Sequence, residues 1–259
     1  MRLSSDTWRI GPKLRYVTTV NERAGLHLII DGDIVAFRAS ASAYRKNPDG
    51  SKTDLAEGIA RARVDETMAT LMEQMHARSH SVYLSGDKNF RHFLDPTYKA
   101  NRVAPKPKWL EDCKEHLVTQ WGGDVVNGYE ADDAMCMEAT ERGAGNCVIT
   151  SIDKDLRQIE GSHFDWVKQE RIDISALDAA YNFYYHVLVG DAADNIKGCP
   201  KIGSVKATNA LKTGTGPADW FQIVRRLYNN DESLLLNGQL IWLWRTEGDI
   251  WTFAHAHSD

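Results

Sequence analysis

Short apolar runs that stop at an acidic residue recur along this chain of 259 residues, and that pattern limits its fold more than any other feature. Leu26-His27-Leu28-Ile29-Ile30 stops at Asp31-Gly32-Asp33, Ser81-Val82-Tyr83-Leu84-Ser85 at Gly86-Asp87, and Asn146-Cys147-Val148-Ile149-Thr150 at Ser151-Ile152-Asp153. Runs of this length suit strands buried in a core. Longer stretches with apolar residues at helical spacing lie between them. Strands alternating with helices predict an α/β fold, a mostly parallel central sheet flanked by helices. Ligands of such sheets bind beyond the carboxyl ends of the strands, so Asp31, Asp87 and Asp153 are predicted to share one edge.

Leu55, Ile59, Val64, Met68, Leu71, Met72 and Met75 predict one long helix from Asp54 to about Ala77, with Thr53 or Asp54 as its N-cap. A short helix over 34–43 and helices over Trp109–Trp121, Glu130–Arg142 and Ser175–Val189 follow the same logic, and Asp124–Asn127 and Phe164–Val167 read as short strands. Asn47-Pro48-Asp49-Gly50 is turn chemistry. Beyond Asp194 a turn marked by Gly and Pro opens a short helix to Leu211, and helices near Ala218–Tyr228 and Glu232–Trp244 complete the chain. The predicted organisation is a loosely attached extension over 1–24, an α/β core over 25–190 and a helical region over 191–259. The early apolar run is too short for a signal core or a membrane span. Cys113, Cys136, Cys147 and Cys199 lack zinc-site spacing and read as reduced thiols of an intracellular protein. His255 and His257 read as part of an exposed, disordered tail.

Charge is segregated. The whole chain carries 31 basic and 36 acidic residues, yet Lys88 to Val118 holds seven Lys/Arg against four acids, and Lys197 to Lys212 holds four Lys and no acid. The acids gather in Glu130-Ala131-Asp132-Asp133, Asp153-Lys154-Asp155 and Asp191-Ala192-Ala193-Asp194. Alone, each cluster reads as a solvated helix start, a capped turn or a loop. Together, at strand ends and a domain junction, they form a set of hard oxygen donors suited to Mg²⁺ or Mn²⁺, and no His stands among them to favour zinc. Two such ions ~4 Å apart can activate water and stabilise the leaving oxygen of a phosphodiester. Arg91, Lys99 and Arg102 surround Tyr98, which suits phosphate contacts beside a stacked base; a solvated loop around a buried Tyr is the alternative. The Gly198–Ala207 turn with Lys201 and Lys206 suits an anion at a helix N-terminus, or else is a plain inter-helix turn.

The ordered set Ile30-Asp31-Gly32, Gly86-Asp87 with Phe90-Arg91, Tyr98-Lys99-Ala100-Asn101-Arg102, Glu130-Ala131-Asp132-Asp133, Ser151-Ile152-Asp153-Lys154-Asp155, Gly190-Asp191-Ala192-Ala193-Asp194-Asn195 and Ile202-Gly203 resembles the 5′-nuclease superfamily. That superfamily includes flap endonucleases and the 5′-nuclease domain of bacterial DNA polymerase I, and its tailed-phage 5′→3′ exonucleases are the most similar branch. The resemblance spans about residues 26–212. It implies the PIN-like 5′-nuclease fold with a C-terminal helix-three-turn-helix region. It implies that Asp31, Asp87, Glu130, Asp132 and Asp133 hold a first metal group, and Asp153, Asp155, Asp191 and Asp194 a second. Lys99 and Arg102 would meet the scissile phosphate at the base of a gateway formed within about 88–118. Arg91, Tyr98, Lys201, Gly203, Val205 and Lys206 would meet DNA, with a K⁺ site at the turn. Asp33 is an extra acid, placed as an outer-shell group. The implied activity is a metal-dependent 5′→3′ exonuclease of phage or bacterial type with flap endonuclease activity in DNA replication and repair. Its partner would be DNA with a 5′ end, nick or flap, met by a monomer away from any membrane. A PIN-type ribonuclease and a non-catalytic DNA-binding protein of the same fold are the rival readings.

Overall fold

Side chains of alternating direction build the centre of the molecule, whose computed structural model describes residues 25–257. In β1 (Leu26–Asp31), Leu28 and Ile30 enter one hydrophobic cluster and Ile29 enters another, as period-two alternation requires of a strand covered on both faces. Fully burying each such side chain contributes roughly 1.5–3 kcal/mol. On one face pack α1 (Gly32–Ser42), α2 (Glu57–Gln74) and, beyond the one-turn α3 (Arg91–Leu94), α4 (Leu110–Trp121), through Val35, Val64, Met68, Leu71 and Leu117. On the other packs α5 (Ala131–Arg142), through Met135, Cys136 and Ala139.

Among the described residues, six strands form the sheet. With β4 (Ala77–Asn89), β5 (Asp124–Gly128), β6 (Cys147–Thr150), β7 (Gly161–Asp165) and β8 (Glu170–Ile174), the order is β5-β4-β1-β6-β7-β8. All neighbouring pairs are parallel except β7 and β8. The chain runs outward from β1 to β4 and β5, then returns to the opposite side of β1 with β6. The strand order therefore reverses between β1 and β6, the position where α/β sheets open a crevice at their carboxyl edge. The predicted fold class is the one observed.

A third cluster is helical. It joins α6 (Ala176–Val189), α7 (Ser204–Leu211), α8 (Pro217–Tyr228) and α9 (Asp231–Ile241) around Phe183, Trp220, Phe221 and Trp251. Because α6 supplies Phe183, Tyr184, Val187 and Leu188, this core begins ahead of residue 191.

Several elements differ from their predicted form. Thr53 and Asp54 do not cap α2: they lie in β3 (Lys52–Asp54), which pairs with β2 (Tyr44–Lys46) as a hairpin, and α2 starts after Ala56 without a side-chain cap. The strand β7 begins three residues before the predicted Phe164, and α9 stops at Ile241. Strand β8 was not predicted. Phe253–His257 forms a short 3-10 helix in place of a disordered tail, and His255 bonds Asp249 at 2.8 Å. Among the described residues no helix is long and apolar enough to cross a membrane. The predicted 1–24 extension lies outside the described residues.

Candidate functional site

A cleft of about 600 Å³ opens at the carboxyl edge of the sheet, lined by Asp31, Glu130, Asp132, Asp153, Asp155, Asp191 and Asp194, with Asp33, Lys99, Arg102 and His186. Local chemistry aims each acid. Asp31 ends β1 and caps α1: one oxygen accepts the Ile34 N–H (3.0 Å), the other the Ser151 hydroxyl (2.7 Å). Ser151, at the end of the neighbouring β6, also accepts the Asp153 N–H (3.0 Å), so one hydroxyl ties two acids of adjacent strands. Asp153 in turn accepts the Asp155 N–H (2.8 Å). Glu130 is the N-cap of α5, and Asp132 follows in its first turn, where the partial positive charge of the helix end favours acids. Gly190 closes α6 ahead of Asp191 with φ +75°, and a Cβ there would lie 2.3 Å from the Ile196 carbonyl oxygen, so only glycine fits this turn.

The acids differ in their electrostatic state. Burial, with Asp33 and Asp153 nearby, pushes Asp31 up to about 7 against the hydrogen bonds it accepts. Burial and the charges of Asp31 and Asp153 push Asp132 well above the usual carboxylate range. Asp153 and Asp191 are also raised, by burial first and then by Asp155 and Asp194 respectively. Glu130 is the exception: burial works to raise it, but Lys99 and Arg91 outweigh burial and hold it low. The Lys99 ammonium stands 2.5 Å from Glu130 and 3.5 Å from Asp194, and the Arg102 guanidinium pairs with Asp194. One wall of the cleft is thus neutralised by Lys99 and Arg102, and the other holds acids whose ionised form needs added positive charge.

That second wall fits hard divalent cations. Among the described residues no three His, Cys, Asp or Glu side chains enclose an ion by themselves. Mg²⁺ takes one or two carboxylates and completes its shell with water and substrate phosphate, so an open acidic wall suits it.

Several expected site residues stand elsewhere. Asp133 does not line the cleft: it is fully buried and receives two guanidinium N–H groups of Arg91 (2.6 and 2.8 Å), the Glu130 N–H and the Trp244 N–H. Its oxygens are committed to structure. Arg91 is correspondingly no DNA contact: it is 1% exposed and also donates to the Leu240 and Trp242 carbonyls. Tyr98 is no exposed stacking platform: it is 4% exposed, and its hydroxyl lies 2.8 Å from Glu130 and 3.0 Å from Asp194. Asp87 is exposed in a bulge where the β4–β5 register shifts and is not among the residues lining the cleft. Asp33 lines the cleft but is already engaged, accepting from the Ser85 N–H and pairing with Lys114 of α4. Lys201, Gly203, Val205 and Lys206 are all exposed at the turn that opens α7.

One residue of the cleft was missed. His186 lies in its wall, 3.1 Å from Asp155, which corrects the expectation that no His stands among the acids. Its signal was one helical turn before Gly190.

A family model described as the 5′-3′ exonuclease N-terminal resolvase-like domain matches residues 26–183. The flap endonuclease Xni of Shewanella oneidensis is 28% identical over 227 residues, covering 82% of this chain and 84% of that protein. A 5′-3′ exonuclease of Buchnera aphidicola subsp. Baizongia pistaciae is 26% identical over 227 residues, covering 80% and 70%. Among solved structures, the T5 5′-exonuclease with bound divalent zinc has a TM-score of 0.64 at 20% identity, covering 83% of this chain and 88% of that one. The catalytic core of Rad2 in complex with DNA substrate has a TM-score of 0.52 at 10% identity, covering 88% and 79%.

Proposed function

The chain belongs to the 5′-3′ exonuclease family whose N-terminal resolvase-like domain it carries, and from that premise we propose that it is a metal-dependent 5′→3′ DNA exonuclease with structure-specific flap endonuclease activity. The observation that carries this reading is the meeting of eight carboxylates from four separate segments in one cleft, with Lys99 and Arg102 at its neutralised wall. Asp31, Asp132, Asp153, Asp155 and Asp191 are the residues to hold divalent ions, Mg²⁺ first and Mn²⁺ in its place. Such ions polarise a phosphodiester and make water a competent nucleophile near neutral pH. Lys99 and Arg102, held by Glu130 and Asp194, would meet an incoming phosphate and stabilise its developing negative charge. Glu130, held low by its cationic neighbours, stays ionised and keeps Lys99 aimed into the cleft.

DNA reaches this edge past the basic stretch that contains Lys99 and Arg102. The exposed Lys201, Gly203, Val205 and Lys206 form the duplex-gripping turn, with K⁺ as a further ligand there. The working division is an α/β nuclease core and a helical DNA-binding region, acting as a single copy. One experiment tests the reading: duplex, nicked, gapped and 5′-flap DNA, labelled at either end, incubated with Mg²⁺ or EDTA. Release of 5′-terminal nucleotides or flap fragments only with the metal is expected. Cleavage that persists in EDTA, or that favours single-stranded RNA, would sink it.

A further inference from the structure

The stretch Thr97–Arg102 and the loop Asp191–Asn195 are laced together by bonds between residues 91 to 98 positions apart. The Asn101 side-chain amide donates to the Ala192 carbonyl (2.7 Å). In the opposite direction the Asn195 side-chain amide donates to the Thr97 carbonyl (2.8 Å). Between these two bonds the Lys99 backbone N–H donates to the Asp194 carbonyl (3.0 Å). The same two segments supply the ion pairs of Lys99 and Arg102 with Asp194.

Backbone conformation makes the lacing more than incidental. Lys99 (φ 57°) and Asn195 (φ 61°) both occupy the left-handed region. Asn tolerates that region, whereas Lys enters it rarely and stays only where its surroundings fix it. Here a bond on each side of Lys99 does the fixing. Val103, 86% exposed, marks where this support ends.

We propose that Asn101 and Asn195 are positioning residues, a reciprocal pair of staples that holds Lys99 and Arg102 against the Asp191–Asp194 loop. The base of the gateway then moves with the acidic loop, and the free part of the gateway begins after Arg102. The inference rests on the nuclease reading for its effect on rate, but the staple itself is read independently.

The test uses Asn101→Ala, Asn195→Ala, Asn195→Gly and Asn195→Asp in the full chain, with three readouts. These are the single-turnover rate on a 5′ flap in Mg²⁺, affinity for that flap in EDTA, and exchange of the Lys99 amide followed by NMR. A misplacement of about 1 Å costs on the order of 10²-fold in rate, so each Ala variant is expected to fall roughly 10- to 100-fold. Affinity should hold and Lys99 exchange should quicken. Asn195→Gly accepts the left-handed backbone without strain and Asn195→Asp keeps the shape, yet neither has the donor, so both should be impaired. Wild-type rates in either of those two variants would overturn the proposal, as would equal losses of rate and affinity or an unchanged Lys99 amide. If the wild-type chain cleaves no DNA, the nuclease reading fails, and the amide exchange still decides whether the staple exists.

Discussion

Asp132 and Asp133 are adjacent in sequence and have different tasks. Asp132 faces the cleft beside Asp31 and Asp153, whereas Asp133 neutralises a buried guanidinium. Asp133→Asn leaves Arg91 without its close carboxylate, and breaking a buried pair of this kind costs about 3–5 kcal/mol, which urea unfolding will register as a lower midpoint. Asp31→Ala and Asp153→Asn should instead remove on the order of 10³-fold or more of turnover, several kcal/mol of metal-dependent stabilisation, while leaving DNA affinity measured without metal intact. The raised Asp31 also makes stability depend on pH when no metal is bound. Its folded value of about 7 lies above the ordinary 3.8, so the native state holds an extra proton between those values. Metal-free stability from this group is therefore greatest at low pH and falls as pH rises through that window. Melting temperatures taken in EDTA should show that decline, and Mg²⁺ or Asp31→Asn should flatten it. Sequence reasoning could see that both aspartates sit at a helix start. Which of them turns inward depends on Arg91, 42 residues away, and no local pattern encodes that pairing.

At the scale of elements, the turn opening α7 offers two lysines to solvent. Lys201 adopts φ 63°, and the Lys206 ammonium donates to the Lys201 carbonyl at 3.1 Å. Replacing either by Ala should weaken duplex binding evenly across sequences and lower the salt dependence of log Kd by about one unit, which titrations at several salt concentrations will read. Elements with strong periodicity or clear ends were legible: β1, β6, α5 and α6 lie within a residue or so of their predicted bounds. The hairpin of β2 and β3 was hidden because each arm has three exposed or half-buried residues, too few to alternate. Strand β8 was hidden for a related reason. Its Glu170, Arg171 and Asp173 are exposed on an edge, where charge protects against unwanted pairing and erases the apolar signal.

For the whole molecule, the informative fact is how the α/β core meets the helical cluster along one seam. Arg91 spans it, joining Asp133 of the α/β core to the carbonyls of Leu240 and Trp242. Within the helical cluster Trp251 is 1% exposed, and its ring occupies the space that a side chain at Gly238 would need. Trp251→Ala should destabilise the protein by about 3–5 kcal/mol, measured by denaturant titration, with the carboxylate cleft retained in the folded fraction. The parallel sheet and its acidic edge were legible because they follow from short-range pattern. The joining of that edge to the helical region was not, since it rests on bonds across more than 100 residues.

The Ser151 hydroxyl that binds Asp31 spans 120 residues of chain, and the Trp244 amide that binds Asp133 spans 111. Contacts so distant in sequence form late in folding, after the costs of closing long loops have been met. During synthesis, the chain must therefore be made past Asp194 before the carboxylate cleft can be complete. A nascent chain or an early-terminated fragment that stops before Asp191 carries Asp31 and Glu130 without Asp194 to face them.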